Sequence, residues 1–269
     1  AGTIYALLGT NGAGKTTLIR TLLGLIPKSS GEVRVLGAEP YKIGPRLRQR
    51  IGYVSEEQGL YNWMTVAEII KFCKSFYSQW NDRLINRYLV QFNLDRRARI
   101  GTLSKGQTVK LALLLTIAPE PELLILDEPM SGLDPLAQYE FLQVVIREIN
   151  LEGRTVFFST HNLADVETVA KQIAIVNDGV IRAAGGITEV CSQIKKIRLM
   201  RQPLDVVQEL QKIGVVVCDN SGEKALLIAA DASDRIAVTG ENIPAVVNST
   251  TQPVSLQEAF LYFCAGGSR

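Results

Sequence analysis

The sequence of 269 residues predicts an α/β protein with a mainly parallel sheet, followed by a small α+β unit. Short, uninterrupted apolar runs recur along residues 1–187, as in parallel strands that are covered on both faces. Segments with helical spacing separate these runs, so strands and helices alternate. The pattern changes near Gly185 and Gly186, after which shorter mixed segments follow.

The predicted strands of the first unit lie at residues 4–8, 51–54, 123–126, 155–158 and 173–176. The predicted helices repeat apolar residues every three to four positions and lie at residues 15–23, 65–76, 82–92, 107–117, 135–149 and 163–169. Asp134 and Pro135 supply an N-cap and a first-turn proline, which mark the start of the helix at 135.

The second unit is predicted to span residues 190–269 as a small α+β domain, with a β-α-β-β-α-β order as the candidate arrangement. Its apolar segments lie at 194–200, 215–217, 225–229 and 245–248, with a weak segment at 232–238 and a helix-like stretch at 204–213. Ser255 and Glu258 form a capping box that opens a helix ending at Phe263.

Composition excludes several classes of protein. A hydrophobic content of 46% with 21% charged residues excludes a disordered chain. The chain has 29 basic and 27 acidic residues, so its small net charge gives no indication of a surface that binds nucleic acid. The single histidine, His161, excludes a zinc site built on several histidines, and four scattered cysteines predict reduced, buried thiols.

The sequence was also searched for membrane-spanning segments and for a leader at its start. The longest apolar run, 111–118, is far shorter than the roughly 20 residues that cross a bilayer, so no membrane-spanning segment is expected. The sequence opens on Ala1 without an initiator Met or a signal-like region, and its first strand begins almost at once. We therefore expect that strands preceding residue 1 are missing.

A glycine-rich loop lies between the first predicted strand and helix and fits the pattern G-x-x-x-x-G-K-[ST]. Glycines let such a loop curl until its N–H groups face a phosphate, aided by the positive end of the next helix. A lysine adds charge for the β and γ phosphates, and the following hydroxyl can ligate Mg²⁺. The candidate phosphate-binding residues are Gly9, Thr10, Asn11, Gly12, Ala13, Gly14, Lys15, Thr16 and Thr17.

Polar residues also end two other predicted strands. Asp127 and Glu128 follow the strand at 123–126, and His161 follows the strand at 155–158 after two hydroxyl residues. In open α/β sheets, ligands bind at the carboxyl ends of the strands. Asp127 is therefore the candidate Mg²⁺ ligand, Glu128 the candidate group that polarises water, and His161 a candidate contact of the γ-phosphate or of the attacking water. The alternatives are helix caps, solvated loop charges and a surface histidine.

Two further segments indicate a family. The order of all these motifs, with the sequence LSKGQ at 103–107 and SGLD at 131–134, resembles the ATP-binding cassette (ABC) ATPases over residues 1–187. The resemblance implies a P-loop NTPase cassette with a helical subdomain at about 60–120, in which two cassettes pack head to tail. Each ATP would lie between the Lys15 loop of one cassette and the signature of the other. That signature comprises Ser104, Lys105, Gly106 and Gln107.

The same resemblance implies that Glu128 is the general base and His161 the switch histidine. Three departures from the family pattern stand out. Glu56 lies near the position of a usual glutamine, where it can contact Mg²⁺ or water. Lys105 replaces a glycine, and either adds a cation for the partner's phosphate or points to solvent. The aromatic residue that stacks adenine in the family normally lies before Ala1.

Two stretches, 76–94 and 253–261, are similar to bacterial exporter ATPases whose membrane subunit is a separate polypeptide. This likeness implies a homodimer or paired cassette that binds ATP and Mg²⁺, on the inner face of the cell membrane beside an integral-membrane permease, without nucleic acid. Residues 59–64, with Tyr61 and Trp63, form either a groove for that partner or core packing. The alternative function is a non-transport ABC ATPase that acts on DNA or ribosomes.

Overall fold

The computed structural model describes residues 2–42, 44–147, 153–199, 215–218, 224–229 and 251–265. The strands are β1 (Ile4–Gly9), β2 (Ile51–Val54), β3 (Leu123–Asp127), β4 (Thr155–Thr160), β5 (Gln172–Asn177), β6 (Val180–Gly186), β7 (Ile194–Leu199), β8 (Val215–Cys218), β9 (Lys224–Ala229) and β10 (Thr251–Gln252). The helices are α1 (Lys15–Leu22), α2 (Pro45–Arg48), α3 (Val66–Lys74), α4 (Asp82–Gln91), α5 (Lys105–Ile117), α6 (Pro135–Val145), α7 (Leu163–Val169), α8 (Ile187–Ser192) and α9 (Leu256–Cys264).

The larger sheet has six strands in the order β2-β3-β4-β1-β5-β6. Its first five strands run parallel, and β6 pairs antiparallel with β5. This arrangement confirms the predicted α/β class with a mainly parallel sheet. Leu8 lies opposite Thr160, and Asp127 lies opposite Ser159, so the residues that follow these strands meet at one edge of the sheet.

Helices cover the sheet with apolar side chains, and α5 is the most deeply enclosed of them. Eight of its thirteen residues are buried. Its N-terminus is fixed by Ser104 and Gln107, which satisfy each other's backbone N–H groups in a capping box. The helices that surround the sheet also reproduce the predicted starts at Lys15, Asp82, Pro135 and Leu163. None of the helices in the described ranges combines the length and apolar character needed to span a bilayer.

Two elements near the predicted change of pattern were missing from the sequence prediction. Strand β6 pairs along β5, and Gly186 then caps α8, which leads into β7. The strand has no continuous apolar run, because Arg182 interrupts it, and its apolar residues Val180 and Ile181 are exposed at the edge of the sheet. An antiparallel edge strand of this kind has one solvated side, so its sequence lacks the pattern of a buried parallel strand.

The smaller sheet has four strands in the order β10-β7-β9-β8, and its described pairs are antiparallel. Helix α9 begins at the predicted capping box of Ser255 and Glu258 and ends one residue beyond the predicted position. Buried residues of this helix join the same hydrophobic core as the six-stranded sheet. The segments predicted at 204–213, 232–238 and 245–248 lie outside the described residues.

Candidate active site

The loop between β1 and α1 curls because glycines occupy positions closed to other residues. Gly12 and Gly14 have φ angles of 81° and 99°, in the left-handed region that glycine adopts freely. At Gly9 a Cβ atom would lie 2.6 Å from the Val176 carbonyl oxygen of β5. Gly14 is also the N-cap of α1, so the free N–H groups of that helix open toward the loop. The loop is therefore shaped to receive an anion.

Lys15 lies inside this loop with only 6% of its surface exposed. Its Nζ donates hydrogen bonds to the carbonyl oxygens of Gly9 at 2.8 Å and Thr10 at 3.0 Å. The same Nζ lies 3.0 Å from Glu128 Oε1. The ammonium group is thus held above the loop, and its charge is balanced by one buried carboxylate.

Asp127 ends β3 and is almost fully buried. Its Oδ1 accepts a hydrogen bond from Thr16 Oγ1 at 3.2 Å and another from Ser159 Oγ at 2.7 Å. Ser159 in turn accepts a hydrogen bond from the Glu128 N–H at 2.9 Å. Sequence reasoning assigned no role to Ser159. The signal for it is positional, since a polar residue at the carboxyl end of β4 lies opposite Asp127 in register.

Glu128 connects the lysine to the histidine. Its φ angle of 45° is in the left-handed region, which a residue with a side chain rarely adopts. This backbone turns the side chain so that Oε2 lies 2.9 Å from His161 Nδ1, while Oε1 faces Lys15. A carboxylate oxygen accepts, so Nδ1 carries the proton in this contact. The imidazole is about half exposed, whereas the carboxylate is 8% exposed.

The turn that carries His161 is held by a buried carboxyl group. Asp165 accepts hydrogen bonds from Thr160 Oγ1 at 3.2 Å and from Asn162 Nδ2 at 3.1 Å. Burial raises the pKa of Asp165, and the nearby Glu128 charge raises it further, while the Thr160 bond and His161 oppose the increase. Asp165 therefore fixes the residues on both sides of His161 and does not itself reach the cavity.

One cavity of about 290 Å³ brings most of the predicted site residues together. Gly9, Thr10 and Asp127 contact residues that line the cavity, and Ala13 lies between two lining residues in the chain. Ser131 of the SGLD segment joins the wall, although sequence reasoning assigned it no place in the site. The lining residues are Asn11, Gly12, Gly14, Lys15, Thr16, Thr17, Glu56, Glu128, Ser131 and His161.

The signature residues lie apart from this cavity. Among the described residues that line it, none belongs to the segment 104–107. Lys105 is exposed, and its Nζ lies 2.5 Å from the position that a Cβ atom on Gly132 would take. Gly106 similarly approaches the Ala137 side chain of α6. Within one chain, the signature therefore contacts the SGLD segment and α6 rather than the Lys15 loop.

Four exposed aromatic residues form a connected surface beside α3, here called the aromatic surface. Tyr61 and Trp63 are 47% and 66% exposed, so of the two alternatives for residues 59–64 core packing does not hold for these side chains, although Leu60 and Met64 pack against the core. Tyr61 lies 6.0 Å from Trp63 and 5.8 Å from Phe72, and Phe72 lies 5.0 Å from Phe76, between ring centres. Such contiguous exposed apolar area is typical of an interaction site.

Comparison with known proteins places this site in a family. The profile of the ABC transporter family matches residues 1–131. The ABC transporter ATP-binding protein MJ1023 of Methanocaldococcus jannaschii is 32% identical, over 74% of this chain and 73% of its own length. The bacitracin transport ATP-binding protein BcrA of Bacillus licheniformis is 29% identical, over 99% of this chain and 90% of its own length. The chain spans 54% and 58% of two ABC transporter ATP-binding proteins from Synechocystis sp. and Nostoc sp..

Solved structures show the same likeness. An ATP-binding subunit of an ABC transporter superposes with a TM-score of 0.65 and 29% identity, over 71% of this chain and 82% of its own. CbiO1 of Clostridium perfringens, part of an ABC transporter complex, gives a TM-score of 0.59 and 26% identity, over 70% and 79% of the two chains. The chain therefore belongs to the ATP-binding proteins of the ABC transporter family.

Proposed function

We propose that the protein binds and hydrolyses ATP and that this reaction drives export through a separate membrane subunit. The observation that carries the proposal is the chain of contacts from Lys15 through Glu128 to His161 in one cavity. A cation for phosphate, a carboxylate that accepts a proton from water and an imidazole that orients the carboxylate can together serve phosphoryl transfer to water.

The order of events follows from charge. An arriving triphosphate presents more negative charge to the loop than one carboxylate does, so Lys15 turns from Glu128 to the phosphates. The Oε1 atom of Glu128 is then free to accept a proton from a water molecule, while His161 continues to hold Oε2. The N–H groups at the start of α1 bind the phosphates from below. Hydrolysis thus begins only after ATP has displaced the ion pair.

The donor set also fits Mg²⁺. Thr16 Oγ1 and Asp127 Oδ1 lie 3.2 Å apart and are the hydroxyl and carboxylate oxygens that this hard cation prefers. Glu56 lines the same cavity and adds a further oxygen ligand. When bound there, Mg²⁺ neutralises phosphate charge during the transfer. Ser159 holds Asp127 in place through its own hydrogen bond to Oδ1.

We also propose that two cassettes share each ATP, with residues 1–187 as the cassette, 60–120 as its helical subdomain and 190–269 as an accessory domain. The signature at 104–107 lies apart from the cavity of its own chain, and the start of α5 presents helix N–H groups that can bind an anion. A second copy, or a paired cassette, would bring a γ-phosphate to Ser104, Lys105, Gly106 and Gln107.

The names of relatives support the membrane partner. BcrA is named for bacitracin transport, the Bacillus subtilis relative LnrL for linearmycin resistance, and a Mycobacterium tuberculosis relative for fluoroquinolone export. We place the contact with the integral-membrane permease at the aromatic surface, and the chain itself on the inner face of the membrane. These relatives do not favour a role on DNA or ribosomes.

Co-purification of the permease with a Trp63→Ser variant tests the placement of the permease contact at the aromatic surface. If this variant retains as much permease as the wild type does, the placement is contradicted.

The substitution Glu128→Gln tests hydrolysis. It keeps the shape of the side chain but removes the carboxylate that accepts the proton, so we expect hydrolysis to slow by about 100-fold or more. ATP binding should survive, because Lys15 and the loop remain. The matched control is Glu57→Gln, an exposed carboxylate outside the cavity lining. Unchanged turnover in the Glu128 variant would refute the role of this residue.

A further inference from the structure

The C-terminal helix α9 is tied to the sheet that carries the candidate ATP site. It packs against β5, α7 and α8. At its last residue, the carbonyl oxygen of Cys264 accepts a hydrogen bond of 3.2 Å from Asn177 Nδ2. Asn177 is the last residue of β5. One side chain therefore joins the end of the helix to the end of β5.

The turn after Asn177 supports the phosphate loop directly. The Gly179 N–H donates a hydrogen bond of 3.0 Å to the Ala13 carbonyl oxygen. A Cβ atom on Gly14 would lie 3.5 Å from Gly179 Cα, so the turn runs close beside the loop at this glycine. Asp178 and Gly179 both have positive φ angles, as in the tight two-residue turns of hairpins. A shift of Asn177 is thus passed to the loop through a short, stiff turn.

The Cys264 thiol at the end of α9 also feels the charges of the turn and of the site. Burial raises the pKa of its thiol, the Asp178 carboxylate raises it further, and the Lys15 ammonium lowers it. The thiol is half-buried and free. The charge of Asp178 in the turn and the charge of Lys15 in the phosphate loop therefore both act on the Cys264 thiol.

The opposite end of α9 is anchored to the smaller sheet. Glu258 lies in the first turn of the helix, and its Oε1 is 2.6 Å from Lys196 Nζ on β7, with both side chains 17% exposed. Glu258 also accepts a hydrogen bond from the Ser255 N–H at 2.9 Å. The helix is held at one end by the four-stranded sheet and at the other by the turn beneath the phosphate loop.

We propose that α9 is a regulatory element that sets the ATP affinity of the phosphate loop through Asn177. The proposal rests on the ATP site proposed above. Coupling between two sites is reciprocal, so ATP in the loop must hold α9 more firmly to the same extent that α9 favours ATP. Residues 190–269 thereby gain a role, because whatever moves the smaller sheet changes the grip on nucleotide.

Two variants of the full chain test the proposal by ATP titration. Asn177→Ala removes the hydrogen bond to Cys264 and leaves the loop sequence intact. We expect ATP to bind about fivefold more weakly, the effect of one neutral hydrogen bond. Lys196→Gln removes the ion pair with Glu258 at the opposite end of α9, and it should also weaken ATP binding. The control is Asn86→Ala, an exposed asparagine of α4 that contacts Arg96.

Alkylation of the cysteines, followed by mass spectrometry, supplies a readout independent of hydrolysis. We expect ATP to slow the modification of Cys264 by about fivefold in the wild type, with the rates of Cys73 and Cys191 as internal references. Protection should shrink in both variants. Equal protection in Asn177→Ala would mean that nucleotide only shields the thiol, and this result would overturn the proposal.

The remaining outcomes separate this proposal from the proposed function. If wild type binds ATP and Lys196→Gln binds it equally well, the helix does not regulate the loop and the inference alone is wrong. If Asn177→Ala binds ATP as tightly as wild type, the same conclusion follows. A wild-type chain that does not bind ATP would overturn both proposals.

Discussion

Replacing Ser159 with alanine removes one hydroxyl that holds two carboxylate residues. Ser159 is fully buried, donates to Asp127 Oδ1 at 2.7 Å and accepts from the Glu128 N–H at 2.9 Å. The variant deletes a hydrogen bond to a charged group and leaves a buried N–H without its acceptor. It leaves the size of the side chain almost unchanged, so packing contributes little to the result.

The magnitude follows from these two contacts. A hydrogen bond to a charged group contributes about 1.5–3 kcal/mol, and an unsatisfied buried donor costs about 1–3 kcal/mol. The two effects share one site and are not additive. We therefore expect Ser159→Ala to lower the free energy of unfolding by about 3 kcal/mol. Glu128 also loses a bond that holds its left-handed backbone, a conformation that costs about 1–3 kcal/mol.

Urea unfolding of the wild type and the variant measures this difference, with ATP hydrolysis as a second readout. The matched control is Ser75→Ala, whose exposed hydroxyl donates to the Phe72 carbonyl and whose loss should change stability by less than about 0.5 kcal/mol. Hydrolysis should fall in Ser159→Ala because Glu128 is no longer fixed. A change in Ser159→Ala no larger than in the control would refute this account of the site.

Two further predictions concern charge. Burial raises the pKa of Asp165 above its ordinary 3.8, so the folded state holds a proton that the unfolded state releases, and the wild type should lose stability as the pH rises from about 4 through the folded pKa. Urea unfolding at several pH values should show this loss in the wild type but not in Asp165→Asn. The same pH dependence in both proteins would contradict the prediction. Lys105→Gly removes the cation that lies beside Gly132. We expect the dissociation constant of the ATP-driven dimer, measured by analytical ultracentrifugation, to rise about fivefold. Unchanged dimerisation would show that Lys105 serves only as a solvated side chain.

The sequence was informative wherever a local pattern decides the structure. Continuous apolar runs predicted the parallel strands because both faces of such strands are buried, and caps such as Asp134 fixed helix starts because they satisfy free N–H groups. The meeting of Lys15, Asp127 and His161 was also predictable, since the carboxyl ends of parallel strands share one edge of the sheet.

Contacts between segments distant in the sequence were not predictable in this way. The role of Ser159 depends on the register between β3 and β4, and the contact of Asn177 with Cys264 depends on where α9 docks. Both polar side chains are unremarkable in the sequence, because neither belongs to a motif. Their importance comes from the buried groups that they satisfy, which only the three-dimensional arrangement shows.

The pairing of Lys15 with Glu128 explains how these two charges can be buried before nucleotide binds. Charges that are 6% and 8% exposed are costly unless they are paired. Lys15 donates two hydrogen bonds to loop carbonyls, and its 3.0 Å contact with Glu128 Oε1 is an ion pair. Phosphate can therefore replace the carboxylate while the two bonds to the loop carbonyls remain. By the same reasoning, Glu128→Gln removes the competitor for Lys15, so this variant should bind ATP at least as tightly as the wild type while hydrolysing it slowly.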